Sequence, residues 1–350
     1  MYKISGPIAS YALKVGDKNI VLFGDWHGSN DKQCHSCTKN CFYVVKLLNN
    51  LQPKSDLFIE SFIHSHLMEG VQPTNVISNV IKSNFDKMHN HQGKPLHNVR
   101  VHYTDIRSLL TFKPFIDTLN SSLNYIHYNA DKETVINMLT VISWCNTVQK
   151  LKTFLDVMLK SDNYIMNASN MIPHQYVKHF TNKYDLMKHN RMFITRLRKQ
   201  LLKLKPQYQQ TVLAFHNDQC IKLIKKHKSY DKAMQHFIQT NTLSASDVNV
   251  VALTLLKWGS HLKDLYTIAR MLYYLDTSKN IVSYDGVWHS RVYASFFKQF
   301  MSARIIYKEA HIKENKLFGG ITVTNDKEFR CVKLPKKVVE SVFISDKSLK

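Results

Sequence analysis

Asp25 and His27 stand two residues apart at the end of the apolar run Ile20-Val21-Leu22-Phe23-Gly24, just before Gly28. Side chains two apart on a strand project to the same side, so this carboxylate and imidazole meet where a strand gives way to a loop. Three later segments repeat the arrangement. Leu57-Phe58-Ile59 runs into Glu60, Val99-Arg100-Val101-His102-Tyr103 runs into Thr104-Asp105-Ile106-Arg107, and Asn280-Ile281-Val282-Ser283-Tyr284 leads through Asp285-Gly286-Val287-Trp288 to His289. His27 and His289 can act as general bases or metal ligands, because imidazole titrates near neutrality and binds metals when neutral. Asp25, Glu60 and Asp105 can hold a divalent cation or orient the histidines. Arg107 suits an anionic group or developing negative charge. Each residue alone reads as a helix cap or a satisfied loop residue, but four strand ends in order favour one shared site.

These ends need an open parallel sheet, which keeps its chemistry at the carboxyl ends of its strands. Tyr11 to Val15 and Ile20 to Phe23 flank Gly16-Asp17-Lys18-Asn19 as a hairpin. Phe42, Val45, Leu48 and Leu51 predict a helix over 41–51, ended by Pro53. Leu57 to Ile59 is short and wholly apolar, as a strand covered on both faces should be. From about Thr111 the pattern turns helical: Asp131 can cap a helix through Val135, Leu139 and Val148, and Phe193, Leu197, Leu201 and Leu204 form an apolar stripe before Pro206. Strand-like sequence returns at Asn280, and again at Ile321 to Val323 and Phe329 to Val332 as edge strands. The expected fold is α/β: a mainly parallel central sheet flanked by helices, with a large helical insertion. Residues 1–110 and 251–335 would form the discontinuous α/β domain, 111–250 the insertion, and 336–350 a basic tail.

Gly24-Asp25-Trp26-His27, Glu60, Asp105 with Arg107, and Gly286-Val287-Trp288-His289 together resemble the erythromycin-esterase-like superfamily, which includes haem-binding lipoproteins and Tiki/TraB-type proteins. Uncharacterised proteins of large DNA viruses are more similar still. They share the Asp-Trp-His-Gly-like start followed by cysteines, a segment like Val101-His102-Tyr103-Thr104-Asp105-Ile106-Arg107, and a helix like Asp264-Leu265-Tyr266-Thr267-Ile268-Ala269-Arg270-Met271 before a terminal Gly-x-x-His. The resemblance spans residues 18 to 110 and 260 to 300, roughly a third of the chain. It implies a hydrolase-like site of histidines and carboxylates, with a divalent metal in some members, in a viral protein of the host cytoplasm or the virion. The superfamily usually carries Gly-Glu-x-His where this chain has Gly24-Asp25-Trp26-His27, which keeps the carboxylate and shortens its reach by a methylene. The calcineurin-like metallophosphoesterases are a rival class, since their first Asp-x-His motif is also met here. Their Gly-Asp-x-x-Asp, Gly-Asn-His-Asp/Glu and Gly-His-x-His motifs are missing, and Phe215-His216-Asn217-Asp218 has the letters in the wrong order.

Cys34, Cys37 and Cys41 have the close spacing of a metal knuckle, which His27 or His35 would complete as a zinc site. Three thiols near a helix start, one of them reactive, read equally well. The opening Met1-Tyr2-Lys3-Ile4-Ser5-Gly6-Pro7 lacks an apolar signal core, so the chain is expected in a reducing compartment rather than on a disulfide scaffold. No stretch reaches the roughly 18 apolar residues of a membrane span.

A formal charge of +22 on 350 residues favours polyanionic partners. Half of that excess lies in 178–232, with 14 Lys/Arg against three Asp. Arg191, Arg196, Arg198, Lys199, Lys203 and Lys205 crowd one helical stretch, which could neutralise phosphates without reading sequence. The non-catalytic alternative is therefore a virion or core protein that binds nucleic acid or acidic virion components through this surface.

Overall fold

The computed structural model describes residues 1–26, 41–62, 99–106, 155–161, 191–226, 245–315, 320–323 and 330–343, with isolated helical positions at 232, 236 and 239. The chain divides into two compact units, Met1–Asp105 with Tyr274–Lys350, and Ile106–Tyr273.

The first unit is built on a six-stranded sheet. Its strands are β2 (Ala9–Val15), β3 (Lys18–Asp25), β5 (Ser55–Phe62), β6 (Val99–Asp105), β7 (Asn280–Gly286) and β8 (Arg304–Ala310), in the order β6-β5-β7-β3-β2-β8. The β6–β5, β5–β7 and β7–β3 pairs are parallel, while the β3–β2 and β2–β8 pairs are antiparallel. The fold is thus α/β with mostly parallel neighbours. The β2–β3 hairpin turns at Gly16, whose φ of +58° suits a residue without a Cβ. Strands β3 and β7 are buried along nearly their whole length, which explains the unbroken apolar run at Ile20 to Phe23.

One face is covered by Val44, Val45, Leu47 and Leu48 of the short helix α1 (Val44–Leu48), which join Val21, Phe23, Leu57, Ile59 and Val282 in one core. A three-stranded sheet, β11 (Cys331–Leu334), β1 (Tyr2–Ser5) and β4 (Cys41–Tyr43), adds Ile4, Val332 and Leu334 to that core. The helix expected over 41–51 is therefore shorter, because Cys41 to Tyr43 pair as a strand with Lys3 to Ser5. Arg330 likewise precedes β11 rather than belonging to it, and Phe329 lies outside the described residues.

Residues 336–342, expected as part of a basic tail, fold as a helix with Val339 and Val342 buried, and Gln52 N–H donates to the Val342 carbonyl. Apolar residues at helical spacing outweigh the lysines that gave the segment its tail-like composition. Strands β9 (Ile312–Asn315) and β10 (Gly320–Val323) form a separate two-stranded hairpin.

In the second unit most of the described residues are helical. Helix α2 (Arg191–Leu202) buries Phe193, Ile194, Leu197 and Leu201. Pro206 does more than stop that stripe: it opens α3 (Pro206–Lys226), where a missing N–H costs nothing. Helix α4 (Ala245–Leu275) follows, its last residues belonging to the first unit. The helix expected after Asp131 lies outside the described residues.

Candidate functional site

Gly286 is the point where three strand ends of the first unit meet. It lies opposite Asp25 in the β3–β7 register, and its N–H donates to Glu60 Oε2 at 2.5 Å. Glu60 sits in a bulge of β5, where the register against β6 shifts between Ile59 and Phe62. Bulges re-aim side chains at sheet ends, and this one accompanies the turn of Glu60 toward Gly286. Helix α5 (Val287–Phe300) starts immediately after Gly286 and has no side-chain cap of its own at that residue. The Glu60 carboxylate takes that place, with its negative charge where the helix dipole favours it.

His289, in the first turn of α5, is 5% exposed, and its Nε2 lies 3.3 Å from Glu60 Oε1. Two contacts fix the start of this helix on the sheet. Ser290 Oγ donates to the Phe23 carbonyl at 2.7 Å. A Cβ at Gly24 would stand 2.8 Å from Val287 Cα, so only glycine lets the helix cross β3 this closely.

Asp25 is buried and paired with Arg330, whose Nη1 is 3.1 Å from Oδ1. The same guanidinium donates to the carbonyls of Gly6 and Trp26. Tyr284 lies beside this pair. Burial pushes its phenol well above the usual range and the Asp25 charge adds to that, with Arg330 opposing, although the hydroxyl falls short of hydrogen-bond geometry. Asp105 is buried at the end of β6, on the far side of β5. Trp26 and Trp288, next to Asp25 and His289, are 37% and 36% exposed. Buried polar groups are thus bordered by two indoles open to solvent.

Asp25, Glu60, Asp105 and His289 thus share the carboxyl edge of the parallel strands, with Glu60 and His289 in direct contact. His27, Arg107, Cys34 and Cys37 lie outside the described residues. Cys41 is disulfide-bonded, as is Cys331. Cys41 therefore offers no thiolate to zinc, which corrects the reading of it as a metal ligand. The spacing that suggests a knuckle cannot tell a ligand from a half-cystine.

The described strand-end residues do not fit a divalent cation. Arg330 already supplies positive charge to Asp25, and Glu60 is engaged by Gly286 N–H and His289. Among the described residues, the one group of His, Cys, Asp or Glu close enough to hold a metal lies in the second unit: His216, Cys220 and His261.

At the opposite edge of the sheet, Asp56 accepts a bidentate pair from Arg100 at 2.7 and 2.8 Å and contacts His102 Nε2 at 2.7 Å, with Ser278 Oγ as a further donor. Arg100 also covers the Tyr274 ring at 4.5 Å. This cluster ties β5, β6 and the entry to β7 together.

The basic residues of 191–205 divide by environment. Arg191, Lys199, Lys203 and Lys205 are exposed, and Arg196 is partly buried. Arg198 is committed elsewhere, donating to the carbonyls of Met158 at 2.5 Å and Ser161 at 3.0 Å. Its place in a phosphate-binding set is corrected to one holding α2 against 155–161.

Sequence reasoning missed Arg330 and the His216/Cys220/His261 group. Nothing local marks Arg330, which reaches Asp25 only because β11 pairs with β1. His216 and Cys220, four apart on a helix, were a legible hint, but His261 comes from another helix. Comparison with family models, curated proteins and solved structures finds no match to this chain.

Proposed function

We propose that the carboxyl edge of the six-stranded sheet is a hydrolase-like acid–base site, with Glu60 and His289 as its proton-handling pair. The observation that carries this reading is the 3.3 Å approach of Glu60 Oε1 to His289 Nε2, with the same carboxylate anchored on Gly286 N–H. A carboxylate so held fixes the imidazole tautomer, with the proton on Nε2, and stabilises the imidazolium formed when Nδ1 takes a proton from an attacking water. Asp25 and Arg330 form the polar floor beside the pair. His27 and Arg107 belong to the same set by sequence position, and Arg107 would meet developing negative charge. Trp26 and Trp288 offer planar apolar contact to a substrate. The esterase-like resemblance names no substrate, so acyl esters are tested with phosphate esters beside them.

The test is hydrolysis of a panel of nitrophenyl acyl and phosphate esters by the whole chain. Glu60→Gln and His289→Ala should each lower acyl-ester turnover by about a hundredfold or more while leaving the circular dichroism unchanged. Parent-like rates in both variants would overturn the assignment.

A second reading concerns a separate surface. Arg191, Lys199, Lys203 and Lys205 are exposed, and no acidic residue occurs between Asp185 and Asp218. On this reading residues 111–250 form an insertion that binds polyanions, nucleic acid foremost.

A further inference from the structure

We propose that His216, Cys220 and His261 form a buried zinc site in the second unit, separate from the sheet-edge residues. His216 and Cys220 stand four apart on α3, so they share one helix face, and His261 is supplied by α4. The side chains are buried, His216 and Cys220 completely. Their ligand atoms all lie within 4.8 Å of one another.

The separations suit the ion. Zn–S near 2.3 Å and Zn–N near 2.0–2.1 Å at a tetrahedral angle require S···N of about 3.5 Å and N···N of about 3.3 Å. Cys220 Sγ lies 3.7 Å from His216 Nδ1 and 3.5 Å from Nε2 of the same ring, and Nδ1 lies 2.9 Å from His261 Nε2. The His216 ring must turn, and the two rings part by a few tenths of an ångström, to admit the metal. Cys220 is not part of a disulfide. Neutral imidazoles and one ionisable thiol are the donors zinc takes.

Binding releases one proton, from the Cys220 thiol. The proton between the two rings moves to His216 Nε2, and His261 keeps its own on Nδ1. Three protein ligands leave the fourth tetrahedral position to solvent. Zinc with one thiolate carries a net positive charge. Asp264, buried one turn beyond His261 on the same side of α4, is placed to balance it, whereas Lys263 projects from another side. A site clamping two helices would act as a staple of this unit.

The experiment uses the full chain, purified without chelator and analysed for zinc, then exchanged with cobalt(II). About one zinc per chain and a near-ultraviolet thiolate-to-cobalt charge-transfer band are expected. Cys220→Ser and His261→Gln should abolish the band and weaken zinc binding at least tenfold. Glu60→Gln and His289→Ala, which test the sheet-edge site, should leave zinc content unchanged, as should Cys34→Ser with Cys37→Ser. Should the Cys220 variant fail to fold, the band in the parent and in the Cys34/Cys37 variant still decides. Zinc well below stoichiometric with no cobalt band in the parent, zinc retained in Cys220→Ser, or loss of the band with Cys34 and Cys37 would each overturn the proposal.

Discussion

Nε2 of His289 lies 3.3 Å from Oε1 of Glu60, while Oε2 of the same carboxylate accepts the backbone N–H of Gly286 at 2.5 Å. One side chain therefore caps the helix that carries its own partner. Glu60→Gln keeps an oxygen for Gly286 and removes the charge facing His289. Its melting temperature should stay within a few degrees of the parent, since one exchanged hydrogen bond is worth about 1 kcal/mol. Glu60→Ala should melt far lower, because it uncaps α5 as well. Equal melting of the two variants in a thermal scan would remove the capping role.

Gly24 is the spacer that lets α5 approach β3. Gly24→Ala places a methyl 2.8 Å from Val287 Cα and 3.1 Å from Ala9 Cβ, and backbone on one side leaves little room to yield. A loss of about 1–3 kcal/mol in urea unfolding is expected from such overpacking, together with reduced hydrolysis as His289 shifts. A neutral result would mean that the helix slides without cost.

The Asp25–Arg330 pair should be costly to break and cheap to replace. Arg330→Met leaves a buried carboxylate and should cost about 3–5 kcal/mol. Adding Asp25→Asn to that variant should recover part of the loss, and a double-mutant cycle by chemical denaturation measures the coupling.

Acid should weaken the first unit through Asp56. Burial pushes this carboxyl up, but hydrogen bonds from Arg100, His102 and Ser278 outweigh it and hold it at about 2, below the ordinary 3.8. A depressed folded value means stability that is present above pH 3.8 and is lost as pH falls through 2. The parent should lose about 2 kcal/mol over that window. Asp56→Asn should be less stable at neutral pH and lack this component. Parallel pH–stability curves for the two proteins would contradict the linkage.

On the basic surface, Arg191, Lys199, Lys203 and Lys205 neutralised together should weaken nucleic-acid binding. The log–log salt slope should flatten by up to about 0.9 for each phosphate of duplex DNA that the variant no longer neutralises. Arg198→Gln should instead lower stability, since it removes the donors to Met158 and Ser161. A salt titration that cannot separate the quadruple variant from the parent would return these residues to an ordinary solvated face.

By itself the sequence determined what is local. The apolar run before Asp25, the short buried strand before Glu60 and the strand ending at Gly286 were legible because a strand covered on both faces is rich in apolar residues, and the strand ending at Asp105 was legible from its alternation. So were the hairpin at Gly16 and the apolar stripe of α2. Tertiary structure alone decided the neighbours. Strand order set β7 between β3 and β5, which brought His289 to Glu60. Pairing of β11 with β1 delivered Arg330 to Asp25 and took Cys41 to Tyr43 out of a helix. Packing of α3 against α4 joined His261 to His216 and Cys220. Periodicity reports which face of an element is buried; it carries no information about which distant side chain will be buried against it.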